Sequence, residues 1–298
     1  MSKNKSNLVL VRCGGDLATG VALRLYRAGI SVVITELAQP LAVRRAVSFA
    51  EAVYAGHHTV EGVTARLVEP DQLSAKLEAG EIPILIDPDA DILSSLQFLV
   101  VIDGRLTKQT PAPLPIEPAL HIGLGPGFHA GRDCHAVIET RRSHTLGRVY
   151  WTGATQPDSG VPEGDSRRVL RAPNDGVLIA RANIGDHVAA GEILAKIRQS
   201  MTDSSPAAKS DMKIISPISG VVRGIIRDGI QVTKGLKIGD VDPRDDPSAC
   251  FLVSDKALAI GGGVLEAILS KEEIRSQLWA PPHPPQIQQT KSGANKIS

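Results

Sequence analysis

Two stretches concentrate residues that could hold an anionic ligand. The first is GGDLATG (14–20), flanked by a short apolar run and an amphipathic segment. Its Gly15-to-Gly20 spacing equals that of the outer glycines in GxGxxG, with Leu17 at the middle position and no lysine of the P-loop kind. A turn between a strand end and a helix start presents unpaired N–H groups and the positive end of a helix dipole. Gly14, Gly15, Asp16, Thr19 and Gly20 would then cradle a phosphate end. Glu36, 21 residues beyond Gly15, would accept from a ribose-type hydroxyl. The same residues fit a tight strand-to-helix turn that binds nothing. Arg44 and Arg45 follow, a guanidinium pair that could grip phosphate or carboxylate or simply face solvent.

The second stretch runs from IDGRLTK (102–108) to GLGPGFHAGRDCHAV (123–137). Asp103, Arg105 and Lys108 leave a strand at its carboxyl end, where open α/β sheets take their ligands. Gly125 and Gly127 flank Pro126 in a loop able to follow a ligand backbone closely. Cys134, beside His135 and Arg132, is the candidate nucleophile or carrier of sulfur or selenium if its thiolate is favoured, and an inert buried thiol otherwise. Neighbouring residues on a strand point to opposite faces, so His135 need not be its base. His121, His129, His135 and His144 lack the compact spacing of a zinc site, and no metal ligand set is expected.

Several elements must position these residues. LVLVR (8–12) reads as a buried strand, Thr19–Arg27 as a helix stopped by Gly29, and SVVITE (31–36) as a second strand. Strand, glycine turn, helix and strand within about 30 residues make a βαβ unit. Further buried strands are expected at Ile82–Asp87, Phe98–Asp103, His121–Leu124 and Ala136–Glu139, giving a Rossmann-like, doubly wound α/β domain over 1–165. His57-His58 reads as a loop pair. Ser254–Ser270 reads as a helix capped by Ser254, within a C-terminal helical segment over 246–278. The proline-clustered tail 279–298 is expected to be disordered.

Between these helical parts lies an internal repeat. APNDGVLIARANIGDHVAAG (172–191) returns as SPISGVVRGIIRDGIQVTKG (216–235), with Pro173, Gly176, Gly185 and Gly191 recurring 44 residues on. Over 166–245 the two copies resemble the barrel-sandwich hybrid of biotinyl and lipoyl carrier domains. Lys209 and Lys213, near the Ser-rich segment 200–211 that joins the copies, lack the Met-Lys-Met setting of a carrier lysine. No covalent biotin or lipoate is expected.

Composition narrows the function classes. Over 298 residues, 33 basic and 32 acidic side chains leave a net charge of +1, and aromatic residues are 3%. That balance removes the general attraction to nucleic acid, and so few aromatics cannot make a stacking platform. The three cysteines are too few for a disulfide scaffold. No signal-peptide core or membrane-length apolar run appears, so a cytoplasmic location with no membrane partner is expected.

GGDLATGVALRL, IGLGPGFHAGRDCHAVIET, LGRVYWTGA, GLKIGDVDPR and SDKALAIGGGVLEAIL, in this order over residues 8–270, are similar to the YqeB-like accessory proteins of the selenium-dependent molybdenum hydroxylase system. The family turn opens on three glycines, and Cys13 stands at the first of them. The resemblance implies a maturation protein for a client of the xanthine dehydrogenase kind. It would bind the molybdenum cofactor, its dinucleotide form or another nucleotide, and Cys134 would hold sulfur or selenium transiently. Two other readings stay open: an NAD(P)-dependent oxidoreductase, and a non-enzymatic docking scaffold. Self-association is open as well.

Overall fold

The computed structural model describes residues 7–160, 165–198 and 211–278. The tail 279–298, Lys209 and nearly all of segment 200–211 lie outside the described residues. The first strands are β1 (Val9–Arg12), β2 (Val32–Glu36), β3 (His57–Val60), β4 (Val63–Leu67), β5 (Ile82–Ile86), β6 (Val100–Asp103), β7 (Leu120–Leu124), β8 (His129–Ala130), β9 (Ala136–Ile138), β10 (Val149–Tyr150) and β11 (Gly153–Ala154). Nine of them form one sheet in the order β10-β9-β7-β6-β1-β2-β5-β4-β3. The seven inner strands are parallel, and each edge strand pairs antiparallel with its neighbour. β1, β2 and β6 are near-continuous apolar runs because both faces of the sheet are covered. Val9, Val11, Ile34 and Ile102 face one core, while Leu10, Val33, Leu85 and Val101 face a smaller one under Leu73, Leu93 and Phe98.

Helices α1 (Asp16–Arg27) and α4 (Asp255–Leu269) cover the first face together, while α2 (Ala52–Ala55), α3 (Leu73–Glu78) and α5 (Glu272–Leu278) are short. Ser254 caps α4 by accepting from the Ala257 amide at 3.1 Å. Small residues let α1 and α4 approach closely. A Cβ on Gly20 would sit 2.6 Å from the Ala257 Cβ, so Gly20 is a packing position between helices distant in sequence.

The Rossmann-like expectation is therefore corrected. The observed element is a large mixed sheet with antiparallel edges. The β5-to-β6 link carries only a 3₁₀ turn (Asp91–Ser94), and the helix beside α1 comes from the far end of the chain. His57-His58, read as a loop pair, starts edge strand β3 instead. Its partner β4 follows after the tight turn at Glu61 and Gly62, both with positive φ.

The remaining strands are β12 (Val169–Arg171), β13 (Gly176–Ala180), β14 (His187–Val188), β15 (Ile193–Arg198), β16 (Met212–Ile215), β17 (Gly220–Ile225), β18 (Gln231–Val232) and β19 (Lys237–Asp242). They form two four-stranded antiparallel sheets, β12-β19-β17-β14 and β16-β15-β13-β18. Exchanging each strand for its counterpart in the other copy of the repeat converts one order into the other. The repeat is thus a two-fold arrangement in which each sheet takes two strands from each copy. Gly176 and Gly220 open equivalent strands at φ of 152° and 153°, where an added Cβ would strike the carbonyls of Arg198 and Asp242. The barrel-sandwich hybrid of the biotinyl and lipoyl kind is corrected as well: among the described residues strand pairing does not pass from one sheet to the other, and the unit is two antiparallel sheets over a shared apolar core.

Candidate functional site

At the end of β1 the chain turns sharply, and its polar groups satisfy one another. The Gly14 amide donates to Glu36 Oε1 at 2.9 Å, and the Gly15 amide to Cys13 Sγ at 3.3 Å. Thr19 Oγ1 donates to the Gly14 carbonyl and accepts from the Phe49 amide, both at 2.9 Å. Glu36 and Thr19 are buried. Asp16 accepts twice from Arg44 at 3.2 Å, and Arg44 also donates to the Leu252 carbonyl at 2.9 Å. Arg45 Nε donates to the Ile225 carbonyl at 3.0 Å. The arginine pair thereby ties the large sheet to the β-rich unit. Arg44 and Arg45 border short 3₁₀ turns and not a regular helix.

Asp103 lies at the end of β6, 1% exposed, between two guanidiniums. Arg12 Nη1 reaches it at 3.3 Å, and Arg105 grips it from the same loop, Nη2 at 2.6 Å. Behind them His121 is buried. Its Nε2 has no hydrogen-bond partner among the described residues, and burial pushes its imidazole down to about 4. Gly125 and Gly127 have φ of 71° and 108° and pack against Thr140 and Gln109. Cys134 is buried among Phe128, Ala130 and Val137 and donates to the Ala136 carbonyl at 3.2 Å. Burial pushes its thiol up to about 11, so the thiol form dominates near neutral pH. Burial and the Glu36 charge likewise hold the Cys13 thiol above its ordinary range. Among the described residues no cluster of His, Cys, Asp and Glu could hold a metal.

The open chemistry lies beside these residues, at the carboxyl ends of β1, β6, β7 and β9. A cleft of about 430 Å³ has Leu17, Leu106, Pro126 and Thr140 on its sheet wall, and Arg168, Arg171 and Lys237 of the β-rich unit opposite. Lys108, Arg141 and Lys256 complete a set of six cationic residues in the lining, against one lining carboxylate, Asp158. Asp158 pairs with Lys108 at 2.7 Å. Asp240, wholly buried, takes Arg168 at 3.2 Å, Arg223 at 2.9 Å and Lys237 at 3.7 Å. One carboxylate thus orients three cations and leaves them in excess. Partial burial among them lowers the Lys237 ammonium from its ordinary value. Arg141, Arg171 and Lys256 have no ion pair among the described residues. Leu106 and Lys108 hold φ of 54° and 62°, a left-handed conformation costly for residues with a Cβ, and both line this cleft.

Of the residues singled out from the sequence, only Lys108 lines this cleft, with Leu17 and Pro126 of the two glycine stretches beside it. Arg141, Arg168, Arg171, Lys237 and Lys256 were not singled out. Lys237, Asp240, Asp242 and Arg244 do share one short motif, GLKIGDVDPR, whose dense charge on an apolar strand was the available signal.

No family model matches the chain. It is 45% identical over 267 residues to the uncharacterized protein YqeB of Escherichia coli (strain K12), an alignment that takes in 88% of this chain and 47% of that protein. The chain thus spans about half the length of the curated relative it matches. Among solved structures it is similar to the ectoine utilization protein EutE (DoeB) of Ruegeria pomeroyi with product bound, at 13% identity and a TM-score of 0.24 over 78% of this chain and 56% of that one. An aspartoacylase family protein of Mesorhizobium loti aligns at 9% identity and a TM-score of 0.26, over 80% of this chain and 85% of that one. A succinylglutamate desuccinylase/aspartoacylase of Rhodobacter sphaeroides aligns at 17% and 0.26, over 80% and 86%.

These likenesses run to aspartoacylase and desuccinylase proteins and not to molybdenum hydroxylase maturation, and the expected maturation role is corrected on that finding. At TM-scores of 0.24 to 0.26 they assign no activity to this chain. Among the described residues, no helix is long and apolar enough to cross a membrane. The sequence comparison makes this chain similar to YqeB over about half of that protein's length.

Proposed function

We propose that the chain binds a small phosphate-bearing molecule in the cleft at the carboxyl edge of the large sheet. One observation carries this reading: six cationic residues from both halves of the chain converge on a single cleft with one lining carboxylate. Leaving so many like charges together is unfavourable unless an anion joins them. Arginine and lysine are suited in complementary ways, arginine as a planar fork of donors and lysine as a compact charge. The α4 N-terminus, where Lys256 sits, adds a dipole of the right sign. A volume of about 430 Å³ falls in the range of small-molecule sites.

Calorimetric titration of the whole chain with AMP and with inorganic pyrophosphate at low salt tests the proposal. We expect saturable binding that weakens as salt is raised. Arg171→Ala should weaken it roughly tenfold, or about 1.4 kcal/mol, without shifting the melting temperature. No binding of either probe at millimolar concentration, or binding indifferent to Arg171→Ala and Lys256→Ala, would overturn it.

A further inference from the structure

A second cleft, of about 570 Å³, opens on the other side of the α4 N-terminus. Arg168 lines both clefts, and the start of α4 stands between them: Ser254 and Asp255 line this one, Lys256 the other. Four more arginines line it, Arg44, Arg142, Arg223 and Arg244. Each faces an aspartate: Arg44 meets Asp16, Arg142 meets Asp255 at 2.6 Å, Arg223 meets Asp240, and Arg244 meets Asp242 at 2.5 Å. Arg244 directs Nε and Nη2 to Asp242 and leaves Nη1 over, because a guanidinium carries five N–H groups and a carboxylate engages two of them at most in a fork. Arg44, 6% exposed, and Arg223 each keep a buried Nε with no hydrogen-bond partner among the described residues. Arg168 directs only Nη1 to Asp240. Arg168 and Arg244 thus bring unengaged guanidinium N–H groups to a lining that also carries Asp165, Asp242 and Asp255, and these are the donors that an anion in the cleft would take.

We infer that this second cleft is an anion subsite continuous with the first, and that the ligand is a molecule with two separated anionic groups, of the nucleoside bisphosphate class. One group lies at the carboxyl edge of the sheet among Lys108, Arg171 and Lys256. The other lies among the arginines beyond α4, and Arg168 and the helix N-terminus serve both. This inference rests on the phosphate reading of the first cleft.

The test compares AMP with adenosine 3′,5′-bisphosphate by calorimetry on the whole chain. The second phosphate should tighten binding at least tenfold. Leu252→Glu places a negative charge at an exposed position in the second cleft and removes none of the ion-paired side chains. It should bring the ratio of the two affinities close to one. Arg142→Gln should lower the ratio as well, while Arg171→Ala weakens both probes alike. Equal affinity for the two probes, or a ratio unmoved by Leu252→Glu and Arg142→Gln, would sink the two-group ligand while leaving the first cleft standing. If AMP itself does not bind, the phosphate reading fails, and this inference with it.

Discussion

The β1–α1 turn and the cleft a few residues away lie at the same edge of the same sheet, yet they are built in opposite ways. In the turn the polar groups pair within the protein: Glu36 takes the Gly14 amide, Cys13 the Gly15 amide, and Asp16 the Nη1 of Arg44. In the cleft, cations outnumber the carboxylates that face them. A region that satisfies itself holds the fold together. A region that does not is poised for something from outside. Glycine content separates the two poorly, and charge left over after pairing separates them well.

The sharpest way to break this comparison is to remove a charge from the self-satisfied side. Asp103→Ala strands the buried Arg12 guanidinium and should cost about 3–5 kcal/mol in urea unfolding. A loss below about 1 kcal/mol would show that the Arg12–Asp103–Arg105 group is not structural. Next is a pH dependence. The buried His121 titrates near 4 in the folded chain, below the ~6.5 of an unfolded histidine. A depressed value favours folding fully above pH 6.5 and loses that contribution as pH falls towards 4, a change of up to about 3 kcal/mol. His121→Leu should flatten the stability curve in that window; an unchanged slope would assign the acid sensitivity elsewhere.

Gly20→Leu probes a glycine of the turn motif directly. Its new side chain meets Ala257, so it should cost about 1–3 kcal/mol, and phosphate probes should bind the folded fraction as before. Loss of binding with intact stability would instead return this glycine to the site. The smallest expected effect is at Cys13, which holds φ of +87°: in Cys13→Gly the relief of that conformation is offset by loss of the Sγ that accepts the Gly15 amide, and the net change should stay below about 1 kcal/mol in the same denaturation experiment.

The βαβ start, the strands ending on Asp87 and Asp103, the Ser254 cap and the 44-residue repeat were legible because each depends on local periodicity or turn chemistry. Edge strand β3 was hidden by its two histidines, one exposed and one half-buried, which carry no apolar alternation. The packing role of Gly20 was hidden for another reason. It depends on Ala257, more than two hundred residues away, and from its neighbours alone such a glycine looks like a phosphate-binding one. The cleft was the least legible part: Arg168, Arg171 and Lys237 belong to the β-rich unit that holds the repeat, which reads as a separate unit until the two halves are brought together. A surplus of charge is a property of the assembled surface, and a single strand cannot display it.

The exchange of strands between the two copies of the repeat also fixes how this unit can assemble. A lone copy, Val169–Arg198 or Met212–Asp242, holds half of each sheet and cannot complete either. Two separate copies could do so only by meeting in solution, at a rate set by how dilute they are. Joined on one chain, each finds its counterpart at an effective concentration on the order of millimolar. Formation of the unit is thereby unimolecular and indifferent to the abundance of the protein, and cutting the segment between the copies would restore the dependence on dilution.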